Sequence, residues 1–314
     1  MSRSVHISVI SPVYGAANLL DELVDRIRES VAKITPSYEI LLVEDCGPDE
    51  SWERIRRICR DDPQVVGIQH SRNFGQQYAL NCGMDHARGE WVVTLDCDLQ
   101  DRPEEIINLY AKAQEGFDIV LARRVNRQDD VIKRSESYLF YKVLSYLTDT
   151  TQDPAIANFA LYRRSVIEAL ASMHDYDRYY PTMIHWVGFR MAKLDTVHSI
   201  RKDDRKSSYT LHGRLSLAFD TIISFSDKPL RLTVKFGLLI AGIAAVSAMI
   251  LVGQYFFGHT EASGWTSLFL SIWFLSGILI AIFGIVGVYV GRTFESVKKR
   301  PSYIVSEVLN GREG

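Results

Sequence analysis

Two aspartates one residue apart, Asp96 and Asp98, stand at the end of the apolar run Trp91-Val-Val-Thr-Leu95 and are followed by Gln100 and by Pro103-Glu-Glu105. A short apolar run rich in β-branched residues is the pattern of a buried strand, and Pro-Glu-Glu is the pattern of a helix start. The acidic pair therefore sits where a strand leaves its sheet, which in an open α/β sheet is where ligands bind. In irregular backbone, two carboxylates flanking one residue can turn toward a single cation. Hard oxygen ligands suit Mg²⁺ or Mn²⁺, which ordinarily share a protein site with substrate phosphates. An isolated Asp-x-Asp is more often a solvated turn capping the next helix, so the surrounding chain has to decide.

Strand-like runs at residues 5–11, 38–43, 65–69, 91–95 and 118–122 alternate with helical patterns at residues 18–34, 50–60, 76–86 and 103–114. Such alternation predicts an α/β fold with a mostly parallel sheet between helical layers. Pro12 is expected to stop the first strand. The polar residues after the first, second and fourth strands then converge on one sheet edge: Pro12 with Tyr14, Asp45 with Asp49, and Asp96 with Asp98. Asp45 either accepts a hydrogen bond from the N–H of a uracil-like base or stabilises its own turn; the residues leave both open. Neither Gly-x-Gly-x-x-Gly nor a P-loop occurs, which disfavours a dinucleotide-binding dehydrogenase or an NTPase. A diphosphate without such a loop needs a metal to neutralise it. Arg123, Arg124, Arg127, Lys133 and Arg134 follow the last of these strands, a position and a chemistry that suit an anion. A helix is expected at residues 135–148, and residues 153–164 return to strand-like character.

The 314-residue chain carries a net charge of −2, so a nucleic-acid partner is not expected. Its four cysteines form no Cys-x-x-Cys pair and read as reduced thiols on a cytosolic face. The first strand begins almost at the N-terminus, so no signal peptide is expected. Residues 236–257 and 265–291 contain no charged side chain. Each run exceeds the roughly 20 residues needed to cross a bilayer. Arg231 and Lys235 precede the first run, Arg292, Lys298, Lys299 and Arg300 follow the second, and the connection has no Lys or Arg. The positive-inside rule puts both outer flanks in the cytoplasm. A second basic cluster, with Arg205 and Lys206, precedes Leu211, Leu215, Phe219, Ile222 and Phe225 at helical spacing. That segment is either a helix lying in the membrane interface or a core helix of the soluble part. The expected organisation is a cytosolic catalytic domain at 1–210, an amphipathic juxtamembrane segment at 211–232, two transmembrane helices at 233–292 and a cytosolic tail at 293–314.

Taken together, Ser11-Pro-Val-Tyr14, Val43-Glu-Asp-Cys-Gly-Pro-Asp49, Arg72-Asn-Phe-Gly75, Leu95-Asp-Cys-Asp-Leu-Gln-Asp-Arg-Pro-Glu104, Lys206-Ser-Ser-Tyr209 and Lys228-Pro-Leu-Arg231 resemble the polyprenyl-phosphate glycosyltransferases of glycosyltransferase family 2, related to dolichol-phosphate mannose synthase. The resemblance runs from about residue 5 to residue 301. It implies a GT-A fold, a UDP- or GDP-sugar donor of the hexose type, a polyprenyl phosphate acceptor such as undecaprenyl phosphate, inversion at the anomeric centre, homo-oligomers, and a multi-pass protein of the cytoplasmic membrane. It places Mg²⁺ or Mn²⁺ at Asp96, Asp98 and Gln100. It assigns the nucleotide sugar to Pro12, Tyr14, Asp45, Asn73 and Gly75 with the acidic pair, and the acceptor phosphate to Arg123, Arg127, Arg205, Lys206 and Ser207. Three positions depart from the family pattern. Tyr14 is followed by Gly15 and Ala16 rather than Asn-Glu, Arg205 stands where a Gly is usual, and Asn158 stands where some members carry a carboxylate proposed as base. Asp153 is the nearest substitute for that carboxylate. The alternative activity is extension of a saccharide already attached to a lipid or polymer, whose hydroxyl acceptor requires a base. A membrane-tethered sensor of nucleotide sugars is disfavoured by the intact acidic pair.

Overall fold

The computed structural model describes residues 5–125, 156–173, 180–197, 226, 228–256, 264–298 and 300–311, which fall into two compact units. In the first, β1 (Ile7–Val13), α1 (Leu20–Ala32), β2 (Tyr38–Glu44), α2 (Ser51–Asp61), β3 (Val65–His70), α3 (Gln76–His86) and β4 (Trp91–Thr94) alternate strictly. A 3₁₀ turn (Pro103–Glu105), α4 (Ile106–Gln114), β5 (Ile119–Val125), β6 (Ile156–Arg163), α5 (Arg164–Ser172), α6 (Tyr180–Trp186) and β7 (Met191–Val197) follow, and β8 (Val305–Leu309) closes the unit from the far end of the chain.

These strands make one sheet in the order β7-β5-β6-β4-β1-β2-β3-β8. The pairs β4–β1, β1–β2 and β2–β3 are parallel, as is β5–β7, while β6 runs antiparallel to both β4 and β5. The parallel centre is the sheet that the βαβα alternation calls for. Its strands are buried on both faces, with every residue of β1, β2 and β4 buried. Ile7, Val9, Val13, Ile40, Leu42 and Val93 contribute alternate side chains to a core shared with Leu23 and Ile27 of α1, Ile55 of α2 and Leu109 of α4. Ile10 points the other way, to α3.

Gly83 sets how closely α3 approaches the sheet. A Cβ there would lie 2.3 Å from Cγ2 of Ile10, a side chain with no exposed surface. Gly83→Ala gains about 1 kcal/mol in helix propensity but forces α3 and β1 apart, an overpacking cost of about 1–3 kcal/mol. The clash involves a stiff β-branched side chain in a central strand, so a net loss of about 1–2 kcal/mol is expected. Thermal unfolding in detergent checks it; an unchanged or raised Tm contradicts it.

Three features differ from the expectations. Pro12 does not end β1, because its partner Val43 continues the β2 ladder. The carbonyl of Ile10 bonds toward β4, accepting from the Leu95 N–H at 2.9 Å. By the two-residue alternation of a strand, the nitrogen of Pro12 points the same way, past the last paired residue, Thr94. The missing N–H therefore removes no ladder bond. β5 extends beyond residue 122 to Val125, so Arg123 and Arg124 are strand residues. Residues 305–309, expected in a separate tail, are an edge strand antiparallel to β3. Asn310 locks that strand through its side-chain N–H, which donates to the carbonyls of Cys59 and Val65 at 2.5 and 2.9 Å.

The second unit contains α7 (Lys228–Phe256) and α8 (Trp265–Val297). The Tyr289 hydroxyl of α8 donates to the carbonyl of Ser226, just before α7, at 2.6 Å. Leu238, Ile243 and Ile250 on α7 and Trp273, Phe274, Ile280 and Phe283 on α8 are all exposed. Residues 236–256 of the first uncharged run and all of the second, 265–291, lie in these helices. Among the described residues, one stretch, Ser271–Val297 with a mean hydropathy of 2.3, is long and apolar enough to cross a membrane. Two spans were expected; α7 opens with Lys228, Arg231 and Lys235, and its uncharged part runs from Phe236 to the helix end at Phe256. The helix expected at 135–148 and residues 211–225 of the juxtamembrane segment expected at 211–232 lie outside the described residues, while residues 228–232 open α7.

Candidate active site

Four loops leave the carboxyl ends of four adjacent parallel strands, β4, β1, β2 and β3, and they are bonded to one another. The loop after β1 meets the loop after β2: the N–H of Ala16 donates to Ser51 Oγ at 3.1 Å and that of Ala17 to Asp49 Oδ2 at 3.0 Å. Gly47 allows the approach, since a Cβ there would stand 2.8 Å from the nitrogen of Gly15. Asp49 also accepts from the N–H and the hydroxyl of Ser51, at 3.2 and 2.6 Å, and so caps the first turn of α2. It is a scaffold residue. Although partial burial opposes ionisation, the bonds from Ser51 and Ala17 hold its carboxyl below the ordinary carboxylate range.

Asp45 is 3% exposed and joins the loop after β2 to the loop after β3. Its Oδ1 accepts from the Phe74 N–H at 2.9 Å and lies 2.8 Å from His70 Nδ1, while Oδ2 accepts from the Gly75 N–H at 2.7 Å. Of its protein partners, Asp45 therefore organises the Arg72-Asn73-Phe74-Gly75 loop rather than its own turn. Gly75, at φ +107°, takes a backbone conformation that side-chain-bearing residues rarely adopt. The loop delivers Gln76, whose side-chain amide donates to Asp96 Oδ1 at 2.7 Å. Arg72 lies over the Phe74 ring, 4.0 Å from its centroid.

Asp96 and Asp98 follow β4 directly, both partly exposed. Oδ1 of Asp98 accepts from the Gln100 N–H at 3.1 Å, closing a turn in which Leu99 adopts φ +59°. A buried non-glycine residue in that region is strained, a feature that clusters at functional sites. Between the two carboxylates, Cys97 bonds to the backbone of Tyr14, joining the loops after β4 and β1; burial, aided by the charges of Asp96 and Asp98, pushes its thiol up to about 12. Among the described residues no three His, Cys, Asp or Glu side chains converge as a metal cage. Two carboxylates and an amide oxygen are nonetheless a fitting donor set for Mg²⁺ or Mn²⁺, which is held by one or two carboxylates and completed by substrate phosphates.

The expected acceptor residues are placed only in part. Arg123 pairs in fork geometry with Asp195 across the β5–β7 register, Nε–Oδ1 2.6 Å and Nη2–Oδ2 3.0 Å, so an anion there competes with a carboxylate. That guanidinium lowers the Asp195 pKa. Arg127, Asp153, Arg205, Lys206 and Ser207 lie outside the described residues. The Thr94 hydroxyl donates to the carbonyl of Asn158 in β6 at 2.5 Å, and the last registered β4–β6 pair, Thr94 with Ala160, stops two residues short of both Asp96 and Asn158. Pro12, Tyr14, Asn73 and Gly75 border the same edge, Tyr14 with its side chain half exposed. His70, Gln76 and Tyr303, which hold these loops, were not singled out in the sequence. Their signal was faint: His70 and Gln76 flank the Arg72–Gly75 motif, but nothing local marks Tyr303.

A family model described as "Glycosyl transferase family 2" matches residues 8–171, the whole of this edge. An uncharacterized glycosyltransferase of Bacillus subtilis is 34% identical over 311 residues, covering 98% of this chain and 95% of the relative. A Yersinia pestis protein named undecaprenyl-phosphate 4-deoxy-4-formamido-L-arabinose transferase is 31% identical over 310 residues, covering 98% and 94%. Among solved structures, the glucosyl-3-phosphoglycerate synthase of Mycobacterium tuberculosis, crystallised with Mn²⁺ and uridine-diphosphate-glucose, superposes with a TM-score of 0.50 at 13% identity over 70% of this chain and 77% of that one. At that identity it speaks for the fold, a GT-A-like α/β sheet.

Proposed function

The chain belongs to glycosyl transferase family 2, and from that premise we propose that it moves a sugar from a nucleotide donor onto a polyprenyl phosphate at a membrane surface. The observation that carries the donor half is the bonded set of four loops ending on Asp96 and Asp98. The acceptor half draws on the Yersinia relative's name and on the exposed apolar helix α8. In this reading Pro12, Tyr14, Asn73 and Gly75 frame the nucleoside, with Asp45 holding the frame. Asp96, Asp98 and Gln100 hold a divalent cation against the diphosphate. Such an ion, when bound, neutralises the charge that develops on the departing nucleoside diphosphate.

The acceptor explains why Asn158 is tolerable where a base is otherwise expected. A phosphate monoester has its second pKa at about 6, so at neutral pH it is largely dianionic and already a nucleophile. One phosphate oxygen forms the bond to the anomeric carbon as the bond to the diphosphate breaks, inverting that centre; no proton has to be removed. Arg127, Arg205, Lys206 and Ser207 are proposed to gather the acceptor phosphate, joined by Arg123 if Asp195 yields. The catalytic domain and the basic flanks of the helices are proposed to face the cytosol, with α7 and α8 both spanning the cytoplasmic membrane and the protein a homo-oligomer.

Purified protein in detergent, given polyprenyl phosphate, Mn²⁺ and radiolabelled UDP- or GDP-hexoses, is expected to move label into the organic phase. The panel should include an arabinose-type donor, because the Yersinia relative's name specifies such a sugar. Label that stays in water with every donor, or product that forms only on a saccharide acceptor, rejects this reading.

A further inference from the structure

We infer that Tyr303, on the tail that continues the chain beyond α8, is a positioning residue for the donor site: it clamps the loop after β3 from outside and so holds Asp45 and Gln76 in register. The inference rests on the reading of this sheet edge as the donor site.

Three contacts carry it. The Tyr303 ring stacks on His70, with centroids 5.4 Å apart and planes 18° from parallel. Its hydroxyl donates to Asp85 Oδ2 at 2.8 Å and lies against the Cys82 thiol, both on α3. The carbonyl of the next residue, Ile304, accepts from the Ser71 N–H at 2.9 Å. His70 and Ser71 lie at the start of the loop, and Cys82 and Asp85 lie in the far half of the helix that follows it, so the tail ties the start of residues 71–75 to the body of α3.

What the loop does makes that grip matter. His70 is 1% exposed, and the ring that stacks on Tyr303 is the ring whose Nδ1 meets Asp45. Phe74 packs edge-on against the same imidazole, with centroids 5.5 Å apart. Among the described residues, no hydrogen-bond partner of the buried His70 Nε2 is found to fix the ring on that side. Packing between Tyr303 and Phe74 has to do so. If the stack is lost, the imidazole is free to tilt, Asp45 loses one fixed partner, and the loop that aims Gln76 at Asp96 loosens. Aromatic pairs in this geometry and single hydrogen bonds each contribute modestly, so the effect expected is a shift in donor affinity, not loss of the fold.

The test compares Tyr303→Ala, Tyr303→Phe and Leu309→Ala with wild type, full chain in detergent. Leu309 ends β8, the edge strand that follows Tyr303, and packs on the core away from the loop, so it reports the cost of loosening β8 alone. Binding of UDP, GDP and CDP is measured by calorimetry in Mn²⁺, donor KM and kcat by the transfer assay, and Tm by scanning. Tyr303→Ala is expected to raise the nucleotide Kd and the donor KM about tenfold with kcat nearly unchanged. Tyr303→Phe, which keeps the stack, should recover most of that affinity, and Leu309→Ala should lower Tm without moving KM. If wild type binds a nucleotide and Tyr303→Ala binds it equally well, or if Leu309→Ala weakens it as much, the positioning role is wrong while the donor site stands. If wild type binds none of the three, the donor-site reading falls and takes this inference with it.

Discussion

Asp98→Ala protein is expected to transfer sugar about a thousandfold more slowly than wild type at saturating Mn²⁺, with its fold intact. Asp98 is partly exposed just beyond β4 and accepts from the Gln100 N–H within its own turn through Oδ1, so its loss removes a hydrogen bond local to that turn. The structural cost should therefore be about 1 kcal/mol. The chemical cost is larger, because a metal clamp on a leaving diphosphate contributes several kcal/mol, and about 4 kcal/mol corresponds to three decades in rate. Asn158→Ala provides the contrast. A true general base contributes about 10²–10⁴-fold. An acceptor that arrives as a dianion needs none, so Asn158→Ala should stay within about tenfold of wild type. Both are read from single-turnover rates on polyprenyl phosphate. Equal turnover by Asp98→Ala and wild type removes the metal assignment; a collapse of Asn158→Ala to the level of Asp98→Ala means the side chain does chemistry that a phosphate acceptor does not require.

Glu39→Ala should destabilise the sheet domain by about 3 kcal/mol or more. Glu39 is a central-strand residue 2% exposed, an unusual place for a carboxylate. It is tolerated because it is fully engaged: Oε1 accepts from the Ser8 hydroxyl at 2.6 Å and the Arg88 N–H at 2.7 Å, and Oε2 accepts from Arg88 Nε at 2.8 Å with Nη2 also bound. Ser8 Oγ in turn accepts from the Gly89 N–H at 2.8 Å, so the network fixes the turn between α3 and β4. Removing one partner of a buried charged pair costs about 3–5 kcal/mol, because the donors left behind are buried without acceptors. Arg88 is 41% exposed and can regain water, which favours the lower end. Glu39→Gln keeps the shape and should lose less. Thermal or urea unfolding of the two variants decides it, and a Glu39→Ala protein as stable as wild type contradicts the network's role.

The parallel centre of the sheet was legible because each of its strands is a continuous apolar run followed by turn residues and an amphipathic helix, and those are local patterns. Asp96 and Asp98 were legible for a related reason: two carboxylates interrupting such a run have no place in a core. Arg123 was legible as a cation, but its carboxylate partner, Asp195, was not, because it is in β7, which no local pattern announced. β8 is five residues of alternating character after a membrane-type helix, too short to be read as a strand until β3 is seen beside it.

By itself, then, the order of residues determined the layered α/β architecture, the apolar helices and the acidic pair, because periodicity and burial preference act over a few neighbouring residues. Only the tertiary structure decided which bonds Asp45 makes, that Gln76 reaches Asp96, and that Tyr303 lies on His70. Those bonds join residues far apart in the chain, and a hydrogen bond or ring stack has direction and reach that no spacing in the sequence encodes until the strands have brought its two ends together.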